Sequence, residues 1–303
     1  HAQRWGLTHE KIIMKPSDLL TDLGKMVWHL DEPYGGGLPS WLVYKAIGRS
    51  HKVAFTGVGG DELFGNYGKW VPTERIAMLG KMFPMSWFRH GYLSRFHYWQ
   101  DKSKVAILDR SCHGRGTTSA RTFEKFDAYR RQGASHRDAV ARIDFDTQLP
   151  DEFLAMTDRF SMAHSVEARP PFLDRDLVNL VMSMPADLRT SRHRLKGVLR
   201  EVAAPFLGDD ILHAPKRGFV VPMKQWLAGE LKPLVTFLLA EDRLARQGIF
   251  KKNLFEKVYM PFLNDRDLNP VLIWSLVMFQ IWHLLYVENK ASSGNLGIKE
   301  MAG

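Results

Sequence analysis

The run of residues 56–67, TGVGGDELFGNY, constrains the fold of this chain more than any other stretch because three glycines directly precede an acidic pair. It follows the apolar stretch Lys52 to Phe55, which predicts a buried strand. This order places Asp61 and Glu62 just past the carboxyl end of a strand, where open α/β sheets bind their ligands. We therefore predict an α/β fold with a ligand site at this turn.

The glycines and carboxylates of this run suit a phosphorylated ligand held together with a metal ion. Glycine permits positive φ values and lets backbone N–H groups approach an anion, as Gly57, Gly59 and Gly60 would do here. A short amphipathic helix is expected to follow, over residues 62–67. The carboxylate of Asp61 could hold a metal, or it could cap this helix and complement its dipole, and the run alone does not decide between the two.

The stretch 57–65 resembles the signature of the asparagine synthetase family, and three other blocks resemble further motifs of that family. They are residues 31–33 (DEP), residues 161–174 (SMAHSVEARPPFLD) and residues 215–222 (PKRGFVVP) ahead of Trp226. Four blocks in the family's order are far more specific than one glycine motif. The resemblance implies the family's C-terminal synthetase domain, with a parallel sheet of the adenine nucleotide alpha hydrolase-like (PP-loop) type and an α-rich C-terminal half.

What the resemblance implies is a ligase that uses ATP and Mg²⁺ to adenylate a carboxylate, which ammonia then converts to an amide with release of AMP. The carboxylate would be aspartate or an analogue, and a glutaminase domain would supply the ammonia. By its match, Asp61 would hold Mg²⁺, which neutralises crowded phosphate oxygens. Lys216 would offset charge in the adenylation transition state and in the later tetrahedral intermediate. The nucleotide would be held by Gly57, Val58, Gly59, Gly60 and Lys196, with the Gly57 backbone against the adenosine.

The side chains assigned to catalysis and to pyrophosphate binding also have simpler interpretations. Lys216 could form a solvated basic pair with Arg217, although its flanking residues favour a shaped loop. Lys196 could reach the pyrophosphate, or it could be an ordinary charge on an exposed helix. Glu167, the second candidate catalytic residue, could act on the substrate, as its counterpart does in relatives that close β-lactam rings. It could instead form an ion pair with Arg169 that fixes the wall of the site, and this interpretation is favoured.

Two departures from the family pattern limit what the resemblance implies. No Ser-Gly-Gly-Xaa-Asp-Ser pyrophosphate loop occurs in the chain, which opens instead with a strand-like stretch at residues 11–15. We therefore expect a sheet incomplete at its N-terminus, a chain inactive by itself, and an exposed sheet edge that favours a homodimer. Val58 stands where the family usually carries Asp or Glu, or Tyr in lactam-forming relatives, and valine cannot relay a proton. Another carboxylate or amine, or a binding module without turnover, therefore stays open.

Composition weighs against the other classes of function. The chain carries 42 Lys and Arg against 33 Asp and Glu, and this net charge of +9 makes nucleic-acid binding the main rival. The basic residues are scattered rather than arranged in one stripe, so we expect no nucleic-acid partner. A single cysteine, Cys112, excludes an internal disulfide and suits the cytoplasm. The apolar segment 271–287 is interrupted by polar residues and is expected to be a buried helix, not a membrane span.

Along the chain we predict four parts: residues 1–70 as the remainder of the nucleotide-binding sheet domain, 71–146 as a helical insertion, 147–290 as an α-rich completion of the synthetase domain, and 291–303 as a flexible tail. Aromatic residues between positions 87 and 99 are expected in the core of the insertion, and residues 110–121 in a mobile loop. Apolar spacing predicts helices at about 17–30 (capped by Ser17), 40–49, 150–164, 174–184, 196–206, 231–240 and 271–286.

Overall fold

The computed structural model of the protein describes residues 2–65, 101–114, 118–190, 195–214, 221–264 and 270–289. Within these residues one sheet is present, formed by the parallel strands β1 (Val53–Phe55) and β2 (Glu167–Arg169). Val53 pairs with Glu167 and Phe55 with Arg169. Helices make up most of the remainder, so the described part of the chain is α/β with a small parallel sheet, compatible with the predicted class.

Two helices precede β1, and both begin earlier than their sequence pattern predicts. Helix α1 (Pro16–Leu30) starts at a proline, whose fixed φ suits the first helical position. The predicted capping role of Ser17 is therefore wrong, because Ser17 lies inside the first turn, and the carboxylate of Asp18 accepts the Lys15 backbone N–H at 3.1 Å. Helix α2 (Leu38–Ile47) likewise takes a proline into its first turn and starts two residues before the predicted position.

The strand-like stretch at residues 11–15 is not a strand. The segment has no regular secondary structure, and Ile13 is exposed. A strand needs a partner to satisfy its backbone groups, and β1 and β2 are the strands that pair within the described residues. The strand prediction at this position was wrong because a run of three apolar residues between two lysines also suits an irregular segment.

The glycine run and the region after it form short helices. Helix α3 (Gly60–Phe64) begins two residues before the predicted start, and Gly65 caps its C-terminal end. Asn66 and Tyr67 lie outside the described residues, as do the aromatic residues between 87 and 99. The predicted loop at 110–121 is too long, since a 3-10 turn occupies Arg110–Cys112 and a helix begins at Thr118. The helices of this region are α4 (Asp101–Ile107), α5 (Thr118–Arg131) and α6 (His136–Ile143).

The second half of the chain is α-rich, as predicted. The helix expected to start at Pro150 begins earlier, because a π-helical stretch, Asp144–Leu154, takes this proline into its interior. The wider π turn tolerates a residue that has no N–H donor. The following helices are α7 (Ala155–Ala163), α8 (Arg175–Ser183), α9 (Ala186–Arg189), α10 (Gly197–Ala203), α11 (Asp209–Leu212), α12 (Met223–Ala228), α13 (Lys232–Leu238), α14 (Glu241–Gln247), α15 (Met260–Leu263) and α16 (Pro270–Trp282), with π-helical turns at Phe255–Tyr259 and His283–Val287.

The main core forms where α16 packs against α1. Ile273, Val277 and Ile281 share one buried cluster with Leu23 and Met26 of α1. Residues 270–287 are long and apolar enough to cross a membrane by length and composition, but 56% of that window is buried inside the protein. A core helix has the same composition, so the segment is a buried helix here, as predicted.

The two strands have one covered and one open face. Ala54 and Ala168 pack against the main core cluster. On the opposite face Val53 is 42% exposed and Phe55 is 78% exposed, so the prediction of a buried strand was wrong. Alternate residues of a strand point to opposite faces, and within the described residues only the alanine face is covered. The predicted division of the chain at residues 70, 146 and 290 stays a prediction.

Candidate active site

The site forms where the carboxyl ends of the two parallel strands meet. The Thr56 backbone N–H donates to the carbonyl oxygen of Arg169 at 3.0 Å, so the chain leaves β1 directly beside the end of β2. The glycine turn that follows lies against a 3-10 turn, Pro171–Leu173. A crevice outside the carboxyl ends of parallel strands is the usual ligand position in α/β proteins.

The glycines of the turn serve two different purposes. Gly59 has φ = +90°, and a side chain there would collide with Leu173, so the fold itself requires this glycine. A Cβ at Gly60 would lie 3.1 Å from the ring of Phe172. A Cβ at Gly57 would meet nothing within 4 Å. The protein's own packing therefore explains Gly59 and Gly60 but leaves open space beside Gly57.

Helix α3 carries its two carboxylates in different directions. The side chain of Asp61 is 32% exposed, whereas Glu62 is buried. Consecutive helical residues do not share a face, because a residue's neighbours on the surface lie three and four positions away. The acidic pair therefore does not form one binding group, and Asp61 is the carboxylate that solvent can reach.

Lys196 is the partner that the fold brings to Asp61. Its ammonium nitrogen Nζ lies 2.5 Å from Oδ1 of Asp61. Lys196 directly precedes α10 and adopts a left-handed conformation with φ = +56°, which is unusual for a residue with a side chain and costs about 1 kcal/mol. The predicted helix at 196–206 thus begins one residue later, at Gly197, and ends at Ala203.

Asp61 could supply one carboxylate ligand to a metal ion. Among the described residues no group of three or more His, Cys, Asp or Glu side chains could hold a metal. Mg²⁺ is usually bound by one or two carboxylates, with phosphate oxygens and waters completing its shell. A single carboxylate beside a cation that can also bind phosphate suits such a shared site.

Glu167 and Arg169 form the ion pair that the sequence favoured. They point to the same face of β2, and Nε of Arg169 donates to Oε1 of Glu167 at 2.8 Å. This hydrogen bond and the guanidinium charge hold the pKa of Glu167 below its ordinary value, and Glu167 raises the pKa of Arg169 in return. Both side chains are exposed, so the pair is accessible to solvent on the open sheet face.

The two remaining site predictions concern Val58 and Lys216. Val58 lies partly exposed in the glycine turn between Gly57 and Gly59. Lys216 and the whole block 215–220 lie outside the described residues, so the catalytic role assigned to Lys216 stays a prediction.

Sequence patterns did not reveal the residues that support α3. Arg189 and Thr190, at the end of α9, donate hydrogen bonds to carbonyl oxygens of Leu63 and Gly65 at 3.1 Å and 3.0 Å. Strand β2 was also missed, because three residues before a proline pair give no periodic signal. In the sequence, Arg189 looks like any surface charge, and only its burial in the structure distinguishes it.

A parallel strand pair that ends at a glycine turn and an acidic helix start is typical of α/β proteins that bind a ligand at the carboxyl ends of their strands. This chain belongs to the asparagine synthase family, whose model matches residues 1–284. That match includes the glycine turn, both strands and the described helices through α16.

Named relatives agree with the family assignment. Over 95% of this chain, it is 26% identical to asparagine synthetase [glutamine-hydrolyzing] 1 of Bacillus subtilis (strain 168). Over 94% of the chain, it is 29% identical to asparagine synthetase [glutamine-hydrolyzing] 3 of the same organism. A shorter stretch, 30% of the chain, is 31% identical to amidase chry2 of Gibberella zeae. The chain spans about half the length of the two synthetases, 49% and 47% respectively.

Proposed function

We propose that this chain is the synthetase part of an enzyme that activates a carboxylate with ATP and transfers ammonia to it, forming an amide. The observation that carries the proposal is the Asp61–Lys196 pair at the carboxyl end of a parallel strand. Membership in the asparagine synthase family supports ATP-dependent amide formation as the class of reaction. The substrates and the activity of the whole protein remain part of the proposal.

In this proposal the glycine turn holds the nucleotide through backbone groups. The open space beside Gly57 would admit a ligand to the main chain, which a larger side chain would obstruct. Val58 and the two following glycines would complete this wall, and the rigid contacts of Gly59 and Gly60 with Leu173 and Phe172 would keep its shape. The nucleotide would thus meet a turn that needs little rearrangement on binding.

Asp61 and Lys196 would handle the charge of the polyphosphate. When bound, Mg²⁺ would neutralise phosphate oxygens and favour departure of pyrophosphate. Asp61 would hold that ion. The ammonium of Lys196, which pairs with Asp61 in this structure, would then bind the pyrophosphate oxygens instead. A lysine ammonium can exchange one anionic partner for another because its donors are not confined to one plane.

Lys216 and Glu167 would act closer to the reacting carbon. A substrate carboxylate oxygen attacks the α-phosphorus and pyrophosphate leaves; ammonia then attacks the acyl carbon, and AMP leaves. Lys216 would offset negative charge in both transition states. Glu167, held as a carboxylate by Arg169, would either orient the substrate or only shape the wall of the site.

A second candidate function keeps the chemistry and changes the substrate. Val58 cannot accept or relay a proton, so an acceptor other than aspartate is compatible with this turn. The local likeness to a protein named as an amidase favours this alternative over a nucleotide- or partner-binding module without turnover. A glutaminase domain as the source of ammonia, a homodimer and a cytoplasmic location stay predictions.

The test is pyrophosphate release with ATP, Mg²⁺, ammonia and a panel of carboxylates, measured for the full-length gene product and for this chain alone. Lys216→Ala serves as the catalytic variant, and Lys257→Ala, an exposed lysine far along the chain, is its matched control. Release with aspartate that is lost only in Lys216→Ala means asparagine synthesis. Release with another carboxylate identifies the substrate, whereas no release from the full-length product with any carboxylate contradicts the proposal. We expect this chain alone to be inactive.

A further inference from the structure

A polar cluster, buried except for one partly exposed carboxylate, lies against the C-terminal end of α3. It consists of two neighbouring residues of α6 and two at the end of α9, which are joined by hydrogen bonds. We call this cluster the arginine clamp. Its members are Arg137, Asp138, Arg189 and Thr190.

The clamp binds the C-terminal end of α3. A helix of five residues is too short to be stable by itself, and its last carbonyl groups lack partners within the helix. Nη1 of Arg189 donates to the carbonyl oxygen of Leu63, and Oγ1 of Thr190 donates to that of Gly65. The positive charge of Arg189 also lies at the helix end where the dipole is negative.

Burial makes this contact rigid. The side chain of Arg189 is 1% exposed, and its Nη2 donates to Oδ1 of Asp138 at 2.9 Å. Asp138 is itself fixed by the hydroxyl of Ser135, which donates to its carboxylate at 2.6 Å. Nη1 of Arg137 donates to the Thr190 carbonyl oxygen at 3.0 Å, which is a second hydrogen bond between α6 and the end of α9. Removal of one partner would leave a buried charge uncompensated, so the clamp does not readily open.

The same segment also touches the other half of the site. A Cβ at Gly197 would lie 3.6 Å from the carbonyl oxygen of Leu188 and 3.8 Å from that of Arg189. Gly197 directly follows Lys196 at the start of α10. The end of α9 therefore donates side-chain hydrogen bonds to the end of α3, which carries Asp61, and its backbone carbonyl groups lie close to the residue next to Lys196.

We propose that Arg189 is a positioning residue for the Asp61–Lys196 pair, acting through α3 without touching the ligand. Its consequence for nucleotide binding rests on the proposed function, but its effect on α3 does not. A buried arginine is weak as a source of stability, because apolar residues of similar size often stabilise equally well. The five N–H donors of an arginine explain why this residue type suits position 189, since its side chain binds a carboxylate and a helix-end carbonyl at the same time.

Hydrogen exchange of this chain without any ligand tests the effect on α3. In Arg189→Met we expect exchange of the backbone amides of residues 61–65 to rise by about ten-fold or more. The matched control is Arg243→Met: Arg243 is also buried and paired, with Glu288 and Gln280, in a separate polar cluster. This control should leave residues 61–65 unchanged. Thr190→Val, a milder variant, should give a smaller rise at the same amides, and keeps the test usable if Arg189→Met folds poorly. Unchanged exchange at residues 61–65 in both clamp variants overturns the proposal.

Binding of Mn²⁺-ATP, followed by the electron paramagnetic resonance signal of the metal, tests the consequence for the site. We expect affinity to fall about ten- to hundred-fold in Arg189→Met, to recover in part in Arg189→Lys, and to stay within about two-fold in Arg243→Met. Asp61→Asn reports whether the site itself binds the metal. Binding that is lost in Asp61→Asn but kept in Arg189→Met overturns the positioning role. If the unmodified chain binds no Mn²⁺-ATP, the proposed function fails for this chain, and the exchange result alone decides the role of Arg189.

Discussion

The ammonium of Lys196 lies 2.5 Å from the carboxylate of Asp61, although one residue precedes α10 and the other lies in α3. Both side chains retain partial access to solvent, at 26% and 32% exposed. An ion pair in this position contributes little to folding, typically less than about 1 kcal/mol. We propose that its place at the carboxyl end of β1, beside the glycine turn, serves ligand binding.

The first prediction separates these two roles of Lys196. In Lys196→Met we expect the free energy of unfolding, measured by urea denaturation, to change by less than about 1 kcal/mol. Affinity for Mg²⁺-ATP, measured by calorimetry, should fall by about ten-fold, because a charge-assisted contact to phosphate is lost.

Lys45→Met is the matched control for Lys196→Met, since Lys45 forms an equally short ion pair with the buried Asp22. It should lower stability more than Lys196→Met does and leave nucleotide affinity unchanged. A large loss of stability in Lys196→Met with unchanged affinity would contradict a ligand-binding role.

The second prediction compares two glycines of the same turn. Gly59→Ala should lower the free energy of unfolding by about 3 kcal/mol, because φ is +90° and the new methyl group collides with Leu173. Gly57→Ala should change it by less than about 0.5 kcal/mol, since the space beside Gly57 is open. If the nucleotide approaches this backbone, Gly57→Ala nonetheless weakens ATP binding, and equal affinity with the unmodified chain would remove Gly57 from the site.

The third prediction concerns the carboxylate of Glu167. Its pKa lies below the ordinary value because Arg169 donates a hydrogen bond and contributes a positive charge. Arg169→Met should therefore raise the pKa of Glu167 toward its ordinary value, as measured by carbon-13 NMR titration of the labelled side chain. Both residues are exposed, so we expect no measurable change in stability. An unchanged pKa would mean that the two side chains do not pair in solution.

The fourth prediction is a loss of stability in alkaline solution that depends on Tyr259. Burial raises the pKa of this phenol from its ordinary value of 10.0 to about 12, and its hydroxyl donates to the Leu227 carbonyl oxygen at 2.7 Å. The folded state keeps this proton between pH 10 and 12 while the unfolded chain loses it. The stabilising effect is complete below the unfolded pKa, and by the folded pKa about 2 kcal/mol of it is lost.

Tyr259→Phe tests this assignment by chemical denaturation across that pH range. The variant should be less stable by about 1 kcal/mol at neutral pH, because one hydrogen bond is missing and the Leu227 carbonyl is left buried. Its stability should fall less steeply above pH 10. An equally steep fall in both proteins would place the titrating group elsewhere.

Much of the local structure followed from short stretches of sequence. The strand at β1 and the glycine turn were predicted from a dozen residues. Helix α8 lies within one residue of its predicted bounds at each end, because Asp174 caps its first turn with a side-chain hydrogen bond. Prolines shifted other helix starts. Pro16 occupies the first helical position, whereas Pro150 lies inside a π-helical stretch that begins earlier.

The site was only partly predictable. The sequence pattern selected Asp61, Lys196 and Glu167 as candidates, and the structure brings Lys196 to Asp61 and Arg169 to Glu167. It did not indicate that Glu62 is buried, because the direction of a helical side chain depends on which face of the helix packs against the core. Nor did it indicate Arg189, whose importance lies in contacts with residues far away along the chain.

By itself, the sequence determined the family, the glycine turn and the approximate positions of about half of the described α-helices, because motifs, caps and apolar spacing act over a few residues. Tertiary structure alone decided that β2 pairs with β1 and leaves Phe55 exposed, that Lys196 neutralises Asp61, and that Arg189 binds the end of α3. The physical reason is that these contacts join segments distant in sequence, and they form only where the packing of the whole chain places the partners within hydrogen-bonding distance.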